Sequence, residues 1–150
     1  MYEFLKQNYD MKKFDHVKLN GELPDIKTES IKGKRFYVTP DGNKYPSITT
    51  VLSDRNKEGI RKWRESVGQD VANQVMRQAA SRGTAVHTLI ENYLNNEELS
   101  KQDVLPVALF VTMKSELDNI NNIRIQEGGL YSDKLGVAGR VDCIAEYKGK

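Results

Sequence analysis

Between Lys57 and Ile120 the apolar residues of this chain recur every three or four positions, and from Ile123 onward they recur every two. That change of period constrains the fold more than any other feature. A repeat near 3.6 lays out one face of a helix, and a repeat of two lays out one face of a strand. Ile60, Trp63, Val67, Val71, Val75 and Ala79 fall on one helical face that passes through Gly59 and Gly68, with Trp63 read as core. Val86, Leu89, Ile90, Tyr93 and Leu94 carry the stripe on to Asn95-Asn96. A bend or restart is expected at Gly83, because glycine weakens a helix interior. Another helix is expected from about Asp103, with Leu109, Met113, Leu117 and Ile120 on one face.

The strand region starts with Ile123 and Ile125 and breaks at Glu127-Gly128-Gly129. Leu130-Tyr131-Ser132 then reads as a short strand and Val137 to Tyr147 as a longer one. Upstream, Phe36-Tyr37-Val38 and Asn43-Lys44-Tyr45 flank Pro40-Asp41-Gly42, the pattern of a hairpin. Pro46 to Leu52 reads as a short helical turn with Ser47 near its start. Residues 1–34 mix charges with isolated apolar positions and read as an irregular N-terminal arm, leaving 35–150 as the domain proper. The class is α/β with α+β character: a mixed sheet with flanking helices. Lys148-Gly149 is a plausible hairpin turn, so a further strand is expected where the sequence stops, and the C-terminal part of the core is expected to be missing.

At 150 residues the chain can bury a core, and 38% apolar with 29% charged residues is ordinary for a globular protein. No apolar run reaches the length of a membrane span, and no secretion core follows Met1, so a cytoplasmic location is the default expectation. The single cysteine, Cys143, excludes an internal disulfide or an all-cysteine metal site, and it reads as a small buried hydrophobe. A net charge of +2 says little about partners. Arg55, Lys57, Arg61, Lys62 and Arg64 are clustered, however; the common reading is a solvated helix face, and a phosphate-facing patch is the other.

His87 and Glu91 stand at i and i+4 and face one point in space. Asp142 lies on an apolar strand with Val141 and Cys143 directed to the other side. Phosphodiester hydrolysis needs a divalent ion to polarise the phosphate and acidify a water. Carboxylates suit magnesium, and a histidine moves the balance towards manganese. Each residue also has a plain structural reading. A histidine in an apolar stripe is most often packed and hydrogen-bonded. Asp142 could be a buried carboxylate paired with Arg140 or Arg124. Glu127 could cap a turn, and His16 carries no signal.

The run Arg82-Gly83-Thr84-Ala85-Val86-His87 with Glu91 resembles the first motif of RecB-like nucleases in the PD-(D/E)xK superfamily, and Gly139-Arg140-Val141-Asp142 resembles the second. Tyr45-Pro46-Ser47-Ile48-Thr49-Thr50-Val51-Leu52, Lys62-Trp63-Arg64, Val67-Gly68 and Ala79-Ala80 are similar to the phage and mitochondrial genome maintenance exonuclease branch. The resemblance implies a restriction-endonuclease-like fold and a magnesium- or manganese-dependent DNA exonuclease of recombination and repair, acting on single-stranded DNA from an end. It makes His87 a metal ligand and Asp142 the first catalytic acid. Glu91 and Glu127 support the site, and Ser47, Lys62 and Arg82 are candidate phosphate contacts. The family continues into an Asp/Glu-x-Lys strand. Glu146-Tyr147-Lys148 has the right letters but lies on the Asp142 strand, so the chain reads as an N-terminal portion completed by a missing segment or a second chain. An iron–sulfur cluster, present in some relatives, is excluded by the cysteine count. The alternative is a nuclease-derived module that binds DNA or a protein without cutting.

Overall fold

In the computed structural model, which describes residues 10–150, the tetrapeptide Ile31-Lys32-Gly33-Lys34 is a tight turn with Lys32 at φ 50° and Gly33 at φ 74°. Two successive positive φ values make the hairpin turn whose twist matches that of the strands it joins. It joins β1 (Lys27–Ile31) to β2 (Lys34–Val38), with Thr28 opposite Tyr37 and Ser30 opposite Arg35. A second turn, with Gly42 at φ 82° and its N–H donated to the Thr39 carbonyl, brings β3 (Lys44–Pro46) antiparallel to β2, as the Pro40-Asp41-Gly42 motif predicts. Helices α1 (Ile48–Val67), α2 (Gln69–Leu94) and α3 (Val104–Leu117) follow, then strands β4 (Ile120–Ser132) and β5 (Val137–Tyr147). The strands form a three-stranded sheet β1-β2-β3 and a two-stranded sheet β4-β5. The chain is therefore an α+β protein of helices and antiparallel sheets.

Several expectations need correction. Part of the supposed irregular arm is ordered: β1 lies within it and Phe14 is buried, while residues 1–9 of the arm lie outside the described residues. The helical turn after Ser47 is the start of a 20-residue helix. The break falls at Gly68, at φ 86° and ψ 150°, which closes α1 by donating its N–H to the Arg64 carbonyl, and not at Gly83. Gly83 keeps a helical backbone inside α2. Strand β4 runs unbroken through Gly128-Gly129. There a Cβ on Gly129 would stand 2.4 Å from Ile26 Cγ1, so only glycine lets the two segments approach.

The helical stripe is not core either. Ile60, Trp63 and Val67 on α1 are exposed, and so are Val71 and Val75 on α2. On α3 the buried face is Val107, Phe110, Lys114 and Leu117, while Leu109 and Met113 are exposed. Apolar residues occur all around α3, so periodicity could not select its inner face.

The chain forms two compact units. Among the described residues the first comprises 10–17, Asp70–Arg124 and Ala145–Lys150. Its core is Phe14, Leu89, Tyr93, Leu94, Leu99, Phe110, Leu117 and Ile123. Tyr93 stands edge-on to Phe14 at 4.9 Å and to Phe110 at 5.4 Å. Each such side chain contributes about 1.5–3 kcal/mol by leaving water. The segment before Val17 is held by polar contacts: Asn96 accepts from the Phe14 N–H and donates to its carbonyl, and Lys12 Nζ donates to the carbonyls of Asp118 and Ile120. His16 contacts the Leu94 carbonyl at 2.9 Å, a structural task its sequence context did not announce.

The second unit comprises Lys18–Gln69 and Ile125–Ile144. Tyr37, Thr39, Ser47, Ile125 and Ala138 are its buried residues, a small core. Tyr45 stacks on Tyr131 at 6.3 Å and donates to Asp133 at 2.6 Å. That bond and the burial of the hydroxyl raise the Tyr45 pKa above its ordinary value.

Candidate functional site

In the first unit, α2 presents Arg82, His87 and Glu91 on one uninterrupted helix, which the break at Gly68 leaves intact. A ring nitrogen of His87 and a carboxylate oxygen of Glu91 lie within 4.8 Å. Both are donors of the kind a divalent ion takes. Both side chains are half-buried, whereas Arg82 is exposed. Two ligands begin a site but do not complete one, because hard divalent ions take about six oxygen or nitrogen donors.

In the second unit, Asp142 lies on β5 with half-buried Val141 and Cys143 on either side, as strand alternation predicts. The buried-carboxylate reading is overturned because Asp142 is exposed; nearby, Arg124 pairs with Glu146 at 2.7 Å and Arg140 with Glu127 at 2.9 Å. Cys143 is half-buried rather than core, and burial followed by the charge of Asp142 pushes its thiol pKa up. The thiol is therefore protonated and poorly nucleophilic near neutrality.

Glu127 does more than end a turn. At φ 51° its backbone kinks β4, and Arg140 Nε donates both to its carbonyl at 2.8 Å and to its carboxylate. The pair borders a hollow of about 640 Å³ in this unit, also lined by Asp25, Lys27, Arg35 and Tyr37. Lys27 was missed because it fell in the supposed arm, and Arg35 because it sat at its edge. The signal available was the Ile31-Lys32-Gly33-Lys34 frame, which sets a hairpin register placing Thr28, Arg35 and Tyr37 on one face.

Of the candidate phosphate contacts, Ser47 is 2% exposed and its hydroxyl shares a 2.6 Å hydrogen bond with Thr49. Lys62 is exposed and stands 3.7 Å from Glu58. The basic run around it is largely paired along the helix: Arg61 binds Glu58 and Glu65, each at 2.6 Å, and Arg64 binds Gln69. Arg61 holds the Glu58 carboxyl below the ordinary carboxylate range. Such pairing leaves α1 closer to a solvated helix face than to a bare cationic patch.

Glu146 of the Glu146-Tyr147-Lys148 run is also engaged. Its carboxylate accepts from Arg124 and from Asn122, each at 2.7 Å, and those two bonds hold its pKa low. Lys148 at φ 52° and Gly149 at φ 75° form a second tight turn, across which Tyr147 and Lys150 exchange both backbone hydrogen bonds. The hairpin geometry expected at Lys148-Gly149 is therefore present.

Human mitochondrial genome maintenance exonuclease 1 is similar to this chain, 24% identical over 142 residues that cover 87% of the chain and 41% of that protein. The chain thus spans about two fifths of the length of this relative. No family model matches the chain. No solved structure matches it.

Proposed function

We propose that this chain is part of a RecB-like PD-(D/E)xK nuclease that hydrolyses DNA with magnesium or manganese, taking single strands from an end. The observation that supports this most is similarity to an exonuclease across 87% of the chain. His87 and Glu91 lie on a helix and Asp142 on a strand, which supports reading the two runs as motifs of such a site.

In this reading His87 and Asp142 hold the metal, with Glu91 and Glu127 in support. The ion supplies polarisation of the phosphate and acidification of a water when bound. His87 would offer a ring nitrogen and Asp142 a carboxylate oxygen to that ion. The remaining acid and lysine come from an Asp/Glu-x-Lys motif on this or another chain, because the Glu146 carboxylate is committed to Arg124 and Asn122. Lys62 and Arg82, both solvent-exposed, contact phosphates. No helix among the described residues is long and apolar enough to cross a membrane.

The test is hydrolysis of an end-labelled single-stranded oligonucleotide in manganese by the full-length protein. His87→Ala and Asp142→Ala are each expected to lower the rate by about a hundredfold or more. Wild-type activity in either purified variant removes that residue from the site. The engagement of Glu146 also favours a second reading, a nuclease-derived module that binds DNA without cutting it. Manganese titration by calorimetry separates the two, since only the nuclease reading requires heat that disappears in Asp142→Ala.

A further inference from the structure

The hollow bordered by Arg140 and Glu127 has the chemistry of an oxyanion site. Arg140 is fixed by its Nε, which donates to the Glu127 carbonyl at 2.8 Å and lies 2.9 Å from its carboxylate. That leaves its outer edge, Nη1 and Nη2, as the two-pronged donor that suits two oxygens of one phosphate. Lys27, at the start of β1, and Arg35 also line the hollow, neither with an ion-pair partner among the described residues. The carboxylates in the lining are Asp25 and Glu127, and Glu127 is spent on Arg140. The balance at the hollow is cationic.

The walls are also set in place. Arg35 and Tyr37 project from the same face of β2, Tyr37 is buried, and the close approach of Gly129 to Ile26 holds the segment before β1 against β4. At about 640 Å³ the hollow exceeds the volume of one phosphate and admits a phosphodiester with its flanking sugars. The basic run on α1 is a weaker candidate for the same task, because Arg61 is already bound to Glu58 and Glu65 and Arg64 to Gln69.

We propose that Arg35, Lys27 and the outer edge of Arg140 form a phosphate clamp that grips the backbone of single-stranded DNA. The identity of the ligand rests on the nuclease reading; the clamp itself rests on the hollow. It binds by charge and by the arginine fork, so it carries no base preference.

The experiment is fluorescence anisotropy of a labelled oligothymidylate with the full chain in EDTA, where binding is read without hydrolysis, over a series of salt concentrations. Arg35→Ala is expected to weaken binding about tenfold and to flatten the log–log salt slope by about 0.7, the value for one phosphate contact on a single strand. Lys27→Ala should flatten the slope in the same way, and Arg35→Lys should keep the slope while losing part of the affinity. Circular dichroism reports folding; should Arg35→Ala not fold, Lys27→Ala and Arg35→Lys carry the test.

Wild-type affinity and slope in both Arg35→Ala and Lys27→Ala overturn the clamp, as does a wild-type chain that does not bind the oligonucleotide. Displacement of the oligonucleotide by equimolar inorganic phosphate would identify a small-anion pocket and overturn the DNA assignment. The nuclease reading fails separately: Arg35-dependent binding without manganese-dependent cleavage by the full-length protein would leave the clamp standing and remove the enzyme.

Discussion

Tyr93 joins the apolar and polar parts of the first unit. Its ring lies edge-on between Phe14 and Phe110, and its hydroxyl donates to Asp118 at 2.6 Å while accepting from the Lys12 backbone N–H. Burial, then Asp118, raises its pKa. Asp118 also takes Lys114 Nζ at 2.9 Å, an ammonium whose residue is 7% exposed. Burial acts to lower the Lys114 pKa, but the bonds to Asp118 and Tyr93 outweigh it and the net shift is upward. Asp118→Ala should therefore strand a buried cation and cost about 3 kcal/mol in urea unfolding. Lys114→Met removes the charge with its partner requirement and should cost less than Asp118→Ala. The inward direction of Lys114 was not legible in the sequence, because a lysine in a helix reads as solvent-facing. His87 and Asp142 could be nominated from the sequence because their neighbours spell motifs. Arg35 could not, since what it has in common with Arg140 is a hollow that exists only in three dimensions.

At the scale of elements, glycine decided where sequence reading succeeded. Ile31-Lys32-Gly33-Lys34 and Tyr147-Lys148-Gly149-Lys150 share a frame and a pair of positive φ values, yet only the second was read as a turn. The first was hidden because Lys27–Ile31 is exposed along most of its length and shows no apolar alternation. Gly68 and Gly83 were interchanged for a related reason: a helical period alone does not tell a helix end from a tolerated glycine. Their substitutions should diverge. Gly83 has helical angles and open space around a Cβ, so Gly83→Ala should stabilise by about 0.5–1 kcal/mol. Gly68, at φ 86°, should lose about 1 kcal/mol or more on the same change. Thermal denaturation of both variants, read as a shift in Tm of opposite sign, checks the assignment of the break. An equal shift of the same sign would contradict it.

Across the described residues, three surface acids are held by charged or hydrogen-bonding partners. Glu58 is held by Arg61, Glu116 by Tyr147 and Lys148, and Glu146 by Arg124 and Asn122, and each has a pKa below the ordinary 4.5. A depressed carboxylate adds stability above its unfolded pKa and loses it as pH falls through the folded value. The urea midpoint is therefore expected to be flat above pH 4.5 with respect to these groups and to drop below it. Glu146→Gln should make that drop shallower, and an unchanged acid limb would exclude Glu146 as a contributor.

The sequence order of the two units has a consequence for synthesis. The first unit needs residues 10–17 together with Ala145–Lys150, and the second needs Lys18–Gln69 together with Ile125–Ile144. Neither can close while the ribosome is still adding β5. At about 5–20 residues per second, α2 waits roughly 3–10 s for the strands that complete its unit. During that interval Leu89, Tyr93 and Phe110 have only Phe14 and the helical residues around them as partners, so their burial is completed after β5 emerges rather than segment by segment.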